Sequence, residues 1–188
     1  YWYKYLPQNG SDETLERHLQ SALAGKIRHE YVIAEQGFRD IATHAFSNTV
    51  LVKWVRLVLA LDWIAVQSPD LRIVQTVRHP VPLTLSWRAR DWDPGHSLRQ
   101  LLKQDCLING PLQPFSNIMS EAGSFWEQAG AFWASVAYMQ LQLHRPGWVL
   151  REHEWYCMKA EERIGWLAGE MGLGVSDKMR EFINCRSS

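Results

Sequence analysis

Arg78 and Ser86 are the two residues of this sequence whose types and spacing favour a specific chemistry, the binding of a phosphate. The run 71–77 is rich in β-branched residues and predicts a strand, so Arg78 stands at its carboxyl end. Pro80 suits the first turn of a helix, and Ser86 follows in that helix, eight residues after Arg78. A guanidinium can pair with two phosphate oxygens, a hydroxyl can donate a third bond, and the helix dipole favours the anion. An Arg at a strand end is also commonly a structural salt-bridge residue, and the sequence leaves that alternative open.

The elements that would position these residues alternate between strands and helices, which is typical of an α/β fold with a parallel sheet. Ligands of such sheets bind at the carboxyl ends of the strands. Residues 105–119 contain two prolines and are predicted to be irregular. Hydrophobic periodicity and turn residues predict strands at 49–55, 71–77 and 148–151, and helices at about 12–24, 56–67, 80–91, 97–104, 120–143, 159–172 and 176–184.

Composition excludes several classes of protein. The 188 residues are 46% apolar and include ten Trp, enough for a sizeable core, so intrinsic disorder is excluded. Twenty basic and twenty acidic residues give zero net charge, which argues against a nucleic-acid partner. The cysteines Cys106, Cys157 and Cys185 form no Cys-x-x-Cys pair, so neither a disulfide framework nor a zinc site is predicted. His153 and Glu154 are a single adjacent pair, too few for a metal site, and no metal is predicted.

The longest apolar stretch, residues 50–66, does not predict a membrane span. Lys53, Arg56 and Asp62 interrupt it, and a span needs about 20 predominantly apolar residues. No signal peptide is visible. We therefore expect a cytoplasmic location. The sequence does not indicate an oligomeric state.

Residues 51–92 resemble the middle of a sulfotransferase that uses 3′-phosphoadenosine 5′-phosphosulfate (PAPS). In that family a strand ends in an Arg-x-Pro-like turn, and a Ser eight residues after the Arg completes the site for the cofactor's 3′-phosphate. Arg78 and Ser86 match this spacing. Residues 147–174 resemble the family's downstream strand, acidic turn and helix, with Glu154 as the match to the acidic residue. The resemblance covers about residues 49–175.

The resemblance implies a fold and an activity. The fold is a helix-rich three-layer α/β sandwich with a central parallel sheet, like that of P-loop NTPases, in a single domain over residues 1–188. The activity is transfer of the sulfuryl group from PAPS to a hydroxyl or amine of a small-molecule or carbohydrate acceptor. The family's glycine-rich loop for the 5′-phosphosulfate, which works as a P-loop does, is not found before residue 49. We therefore expect the chain to be an interior portion of such a domain, incomplete at both ends.

Lys53 is the catalytic candidate that the resemblance supplies. It matches a strand Lys that would stabilise the transferring sulfuryl group electrostatically, although a simple strand-edge cation explains it as well. In the cytosolic branch of the family a His follows this Lys by two residues, but Val55 occupies that position here. The base is therefore unidentified, with Glu35 and His44 as upstream candidates that no motif supports. His79 is expected to shape the turn after Arg78.

A charged and aromatic helix end follows Ser86. Its residues could line an acceptor cleft by stacking or form a solvated helix face, and the second is the commoner arrangement. The residues are Trp87, Arg88, Arg90, Asp91 and Trp92.

Two other functions remain open on the sequence. The chain could be a non-catalytic binding module with a sulfotransferase-like fold, since the glycine-rich loop and the His are missing. It could also be a nucleotide kinase-like phosphotransferase, which would need a Walker-type lysine loop and a carboxylate for magnesium. The strand at 71–77 is followed by Arg78, not by an Asp, which disfavours the kinase-like alternative.

Overall fold

The structure is a computed structural model that describes residues 3–26, 50–177 and 180–181. Most of these residues are helical. Two 3₁₀ turns, Val58–Ala60 and Gln113–Phe115, join the longer elements. The helices are α1 (Glu13–Leu23), α2 (Leu61–Gln67), α3 (Pro80–Ala89), α4 (Pro94–Leu102), α5 (Asp105–Ile108), α6 (Ser116–Glu121), α7 (Phe125–Gln142), α8 (His153–Met158) and α9 (Ala160–Glu170), and the strands are β1 (Val74–Val77) and β2 (Val149–Glu152).

β1 and β2 form the sheet of the described part of the chain. They pair in parallel, with Val74 opposite Val149 and Val77 opposite Glu152, and α3 to α7 make the crossover between them. Because the strands are parallel and in register, both end at the same edge of the sheet. The prediction of a helix-rich α/β protein is confirmed, and so are the predicted strands at 71–77 and 148–151 in shortened or shifted form.

Two side chains of α7 bond to carbonyls at the edge of β1 that faces away from β2. The carbonyl of Ile73 accepts from the Val149 N–H, so the alternate carbonyls of Thr76 and Arg78 point to the opposite side. There Gln140 Nε2 donates to the Thr76 carbonyl at 3.5 Å and Trp133 Nε1 donates to the Arg78 carbonyl at 2.9 Å. Side chains of one helix thus bond to carbonyls that would otherwise be open to another strand.

The predicted strand at 49–55 is wrong for its described residues, 50–55, which are irregular and lead into a bend. Leu51 and Val55 are 86% and 66% exposed. Strand propensity depends on cross-strand neighbours, and although Trp54 of this segment packs on a core cluster, no described strand pairs with it. Lys53 therefore lies in an irregular, exposed segment and not on a strand.

The prediction that residues 105–119 are irregular is also wrong. The segment contains α5, a 3₁₀ turn and most of α6. Leu107, Leu112 and Met119 are at most 2% exposed. These three side chains belong to the core cluster under α4 and α7, which holds the short helical turns against the rest of the molecule.

The apolar stripe predicted at 120–143 is core packing, as expected, but its helix begins later. Phe132 and Met139 of α7 belong to the same core cluster as Leu98 and Leu101 of α4. Ser124 caps α7 and Glu127 closes a capping box, so the chain before Ser124 cannot be part of that helix. A second cluster packs α1 against α2 through Leu19, Trp63 and Ile64. Within the described residues, no helix has the length and apolarity to cross a membrane.

Candidate functional site

The turn after β1, at Arg78 and His79, is held by hydrogen bonds from two other elements, α7 and α8. Trp133 on α7 donates its indole N–H to the Arg78 carbonyl. The His79 N–H donates to Glu154 Oε1 at 3.1 Å, and Glu154 lies in the first turn of α8, directly after β2. Both parallel strands therefore contribute to one site at their common carboxyl edge. The backbone of the turn is fixed before any ligand is present.

His79 shapes this turn, as expected from the sequence. It is the N-cap of α3, and its Nδ1 accepts from the Val81 N–H at 3.3 Å. Its own carbonyl accepts from the Leu83 N–H. Pro80 and Pro82 have no N–H.

The first turn of α3 consequently has no free backbone donor. All of its N–H groups are either missing, at the two prolines, or bonded to His79. A helix N-terminus binds anions through unsatisfied N–H groups, which also carry the positive end of the dipole. The dipole contribution expected from the sequence is therefore reduced, and an anion here depends on side chains.

Arg78 provides the positive charge at this edge. Its side chain is half-buried, and its Nε is buried with no hydrogen-bond partner among the described residues. An N–H in that condition is costly unless something accepts from it. A phosphate or sulfate oxygen is an acceptor that a guanidinium binds well.

Glu154 lies close enough to Arg78 for the two charges to interact. Burial raises the pKa of Glu154, but hydrogen bonds from its own N–H and that of His79, together with the charges of His153 and Arg78, outweigh burial and hold its pKa below the usual range. The carboxylate therefore stays ionised at neutral pH. Its Oε1 accepts from the His79 N–H and so holds the backbone of the turn. It makes no hydrogen bond with the Arg78 Nε.

Ser86 has a partner that the sequence analysis did not name. Its Oγ accepts a hydrogen bond from the guanidinium of Arg90, one turn further along α3. The hydroxyl proton of Ser86 remains available to a second acceptor. No hydrogen bond joins Ser86 to Arg78 among the described contacts. The i, i+4 spacing of Ser86 and Arg90 was the sequence signal for this pair.

The catalytic candidates are not brought to this edge by any described contact. Lys53 is exposed in the irregular segment before α2. Glu35 and His44 lie outside the described residues. The base therefore remains unidentified.

The aromatic helix end after Ser86 divides into two parts. The rings of Trp87 and Trp92 lie 4.4 Å apart and within 6 Å of Phe132, so both indoles pack on the core. Arg88 and Arg90 are exposed, and the Arg88 guanidinium lies over the Phe125 ring, 5.1 Å from its centroid.

The described residues hold no group of three or more His, Cys, Asp or Glu side chains that could bind a metal ion. Comparison of the chain with models of protein families, with curated proteins and with solved structures finds no match in any of the three. The site therefore has to be interpreted from its own chemistry.

Proposed function

We propose that this chain is part of a PAPS-dependent sulfotransferase and that the edge at Arg78 binds the 3′-phosphate of the nucleotide. The observation that carries the proposal is the buried, unpartnered Nε of Arg78 at the carboxyl end of a parallel strand. A phosphate would satisfy this N–H once the Arg78 side chain turns and exposes it. Ser86, with Arg90 bonded to its hydroxyl, would supply further donors to the same anion.

In this proposal PAPS supplies the sulfuryl group, and the acceptor is a hydroxyl or amine of a small molecule or carbohydrate in the cytoplasm. Arg78 and Ser86 bind and orient the nucleotide. Lys53 would balance charge on the sulfuryl group. Such a site accelerates the transfer mainly by positioning the reactants and stabilising charge, as in phosphoryl transfer.

The fold that accompanies this proposal is a three-layer sandwich around a larger parallel sheet. Parallel sheets are normally covered on both faces and contain more than two strands. Since side chains of α7 bond to carbonyls at the carboxyl end of the outer edge of β1, further strands would join at the edge of β2 that pairs with no described strand.

The test is calorimetric binding of two nucleotides to the full chain. Adenosine 3′,5′-bisphosphate carries the 3′-phosphate and adenosine 5′-monophosphate lacks it. Arg78→Ala removes a charged donor whose hydrogen bonds contribute about 1.5–3 kcal/mol, so we expect roughly 10- to 100-fold weaker binding of the bisphosphate. The affinity for the monophosphate should hardly change.

Arg17→Ala is the matched control, because Arg17 is an exposed cation on α1 whose Nε bonds only to the Glu13 carbonyl among the described contacts. It should leave both affinities unchanged. If the wild-type chain does not prefer the bisphosphate, or if Arg78→Ala keeps that preference, the assignment is wrong.

A non-catalytic binding module is the second candidate, and the exposed position of Lys53 outside any strand favours it. The two candidates differ in turnover. A chain that binds the bisphosphate through Arg78 but never consumes PAPS in the presence of hydroxyl and amine acceptors is a module.

A further inference from the structure

The short helix α8 carries a thiol and an imidazole in contact. Cys157 Sγ lies 3.6 Å from Nδ1 of His153 and 4.0 Å from its Nε2. The two residues are one turn apart, at i and i+4, so they share a face of the helix. Both are exposed, and small reagents can reach the sulfur.

We propose that Cys157 is a site of thiol–disulfide exchange, with His153 as its base and a low-molecular-weight disulfide such as glutathione disulfide as its co-reactant. A nucleophile and a base within hydrogen-bond reach of each other is an arrangement that activates cysteines. The proposal uses neither Arg78 nor Ser86 and does not depend on the nucleotide.

Glu154 is the carboxylate next to His153 on α8, and its own pKa lies below the usual range, partly because of the charge of His153. The other charged side chains near α8 interact with groups other than Cys157. Arg151 and Arg163 lie over the rings of Trp155 and Trp166, Lys159 pairs with Glu162, and Arg78 acts on Glu154.

The step balances without an external oxidant beyond the disulfide. His153 Nδ1 takes the proton of the Cys157 thiol, and the thiolate attacks one sulfur of the disulfide. The old S–S bond breaks as the new Sγ–S bond forms. Cys157 is oxidised to a mixed disulfide, and the departing sulfur leaves as a thiolate that takes up a proton.

Cys106 on α5 provides an internal standard. It is also free and exposed, and no described hydrogen bond joins its thiol to a His. Cys106 and Cys157 therefore differ in the feature that the proposal invokes, and they can be measured in the same sample.

The experiment incubates the reduced full chain with glutathione disulfide at pH 7.5 and follows the two cysteine peptides by mass spectrometry. We expect Cys157 to form the mixed disulfide at least five times faster than Cys106. His153→Gln should bring Cys157 to within twofold of Cys106, while His18→Gln, at an exposed His on α1, should change neither rate.

Equal rates at the two cysteines of the wild-type chain would overturn the proposal, and so would a Cys157 rate that His153→Gln leaves unchanged. An unfolded His153→Gln chain would be recognised by an altered Cys106 rate. The wild-type comparison then decides the proposal alone.

Discussion

Trp133→Phe tests whether the turn at Arg78 is held from α7. The substitution keeps an aromatic ring but removes the indole N–H that donates to the Arg78 carbonyl at 2.9 Å. A hydrogen bond of this kind contributes about 0.5–1.5 kcal/mol net. We therefore expect the free energy of unfolding to fall by about 1 kcal/mol, which lowers Tm by roughly 2–4 °C for a chain of this length.

The assay is urea and thermal unfolding followed by circular dichroism, with Trp126→Phe as the control. Trp126 is on the same helix and is 52% exposed, so the same change of ring there should cost less than about 0.5 kcal/mol. If Trp133→Phe matches the wild-type stability within about 0.3 kcal/mol, or if Trp126→Phe costs as much, the indole bond does not hold the turn.

Two further predictions concern carboxylates. Asp12 caps α1 by accepting from the Thr14 and Leu15 N–H groups, and it pairs with Lys4. Asp12→Ala should lower the free energy of unfolding in urea by about 1 kcal/mol, and Asp12→Asn, which keeps a capping side chain, should lower it clearly less. Equal losses would contradict the role of the cap. Glu154 has a folded pKa below its usual value, so its contribution to stability is full above the unfolded pKa of about 4.3 and is lost as pH falls through the folded value. Glu154→Gln should therefore lose less stability than wild type between pH 6 and pH 3, and parallel curves for the two proteins would refute this.

Local signals in the sequence were enough to predict β1, α3, α7 and β2 near the candidate site, but not α8, which carries Glu154. The β-branched run before Arg78, the His-Pro pair that begins α3 and the Pro-Gly pair after α7 each act over a few residues. Glu154 also carries a local signal, because the resemblance singled it out and it lies just after β2. Such signals place Arg78 between the end of β1 and the start of α3.

The failures have three origins. Residues 50–55 have strand propensity, and Trp54 packs on a core cluster, but no described strand pairs with them, and pairing is not readable from a short run. The bond from Trp133 to Arg78 joins residues 55 apart in sequence, so no local pattern contains it. The late start of α7 differs from both, because Ser124 and Glu127 form a Ser-x-x-Glu box that the sequence displays.

The contacts around Arg78 also limit how this edge can bind an anion. The His79 side chain and carbonyl and the two prolines leave the first turn of α3 without a free N–H. Glu154 and Trp133 use their hydrogen bonds on the backbone of the turn and not on the Arg78 Nε. The scaffold thus fixes the backbone at Arg78 while leaving its buried Nε unpaired. Because the first turn of α3 offers no free N–H to an anion, most of the affinity for an anion at this edge should depend on the Arg78 side chain, and Arg78→Ala is the substitution that separates a binding site from a structural turn.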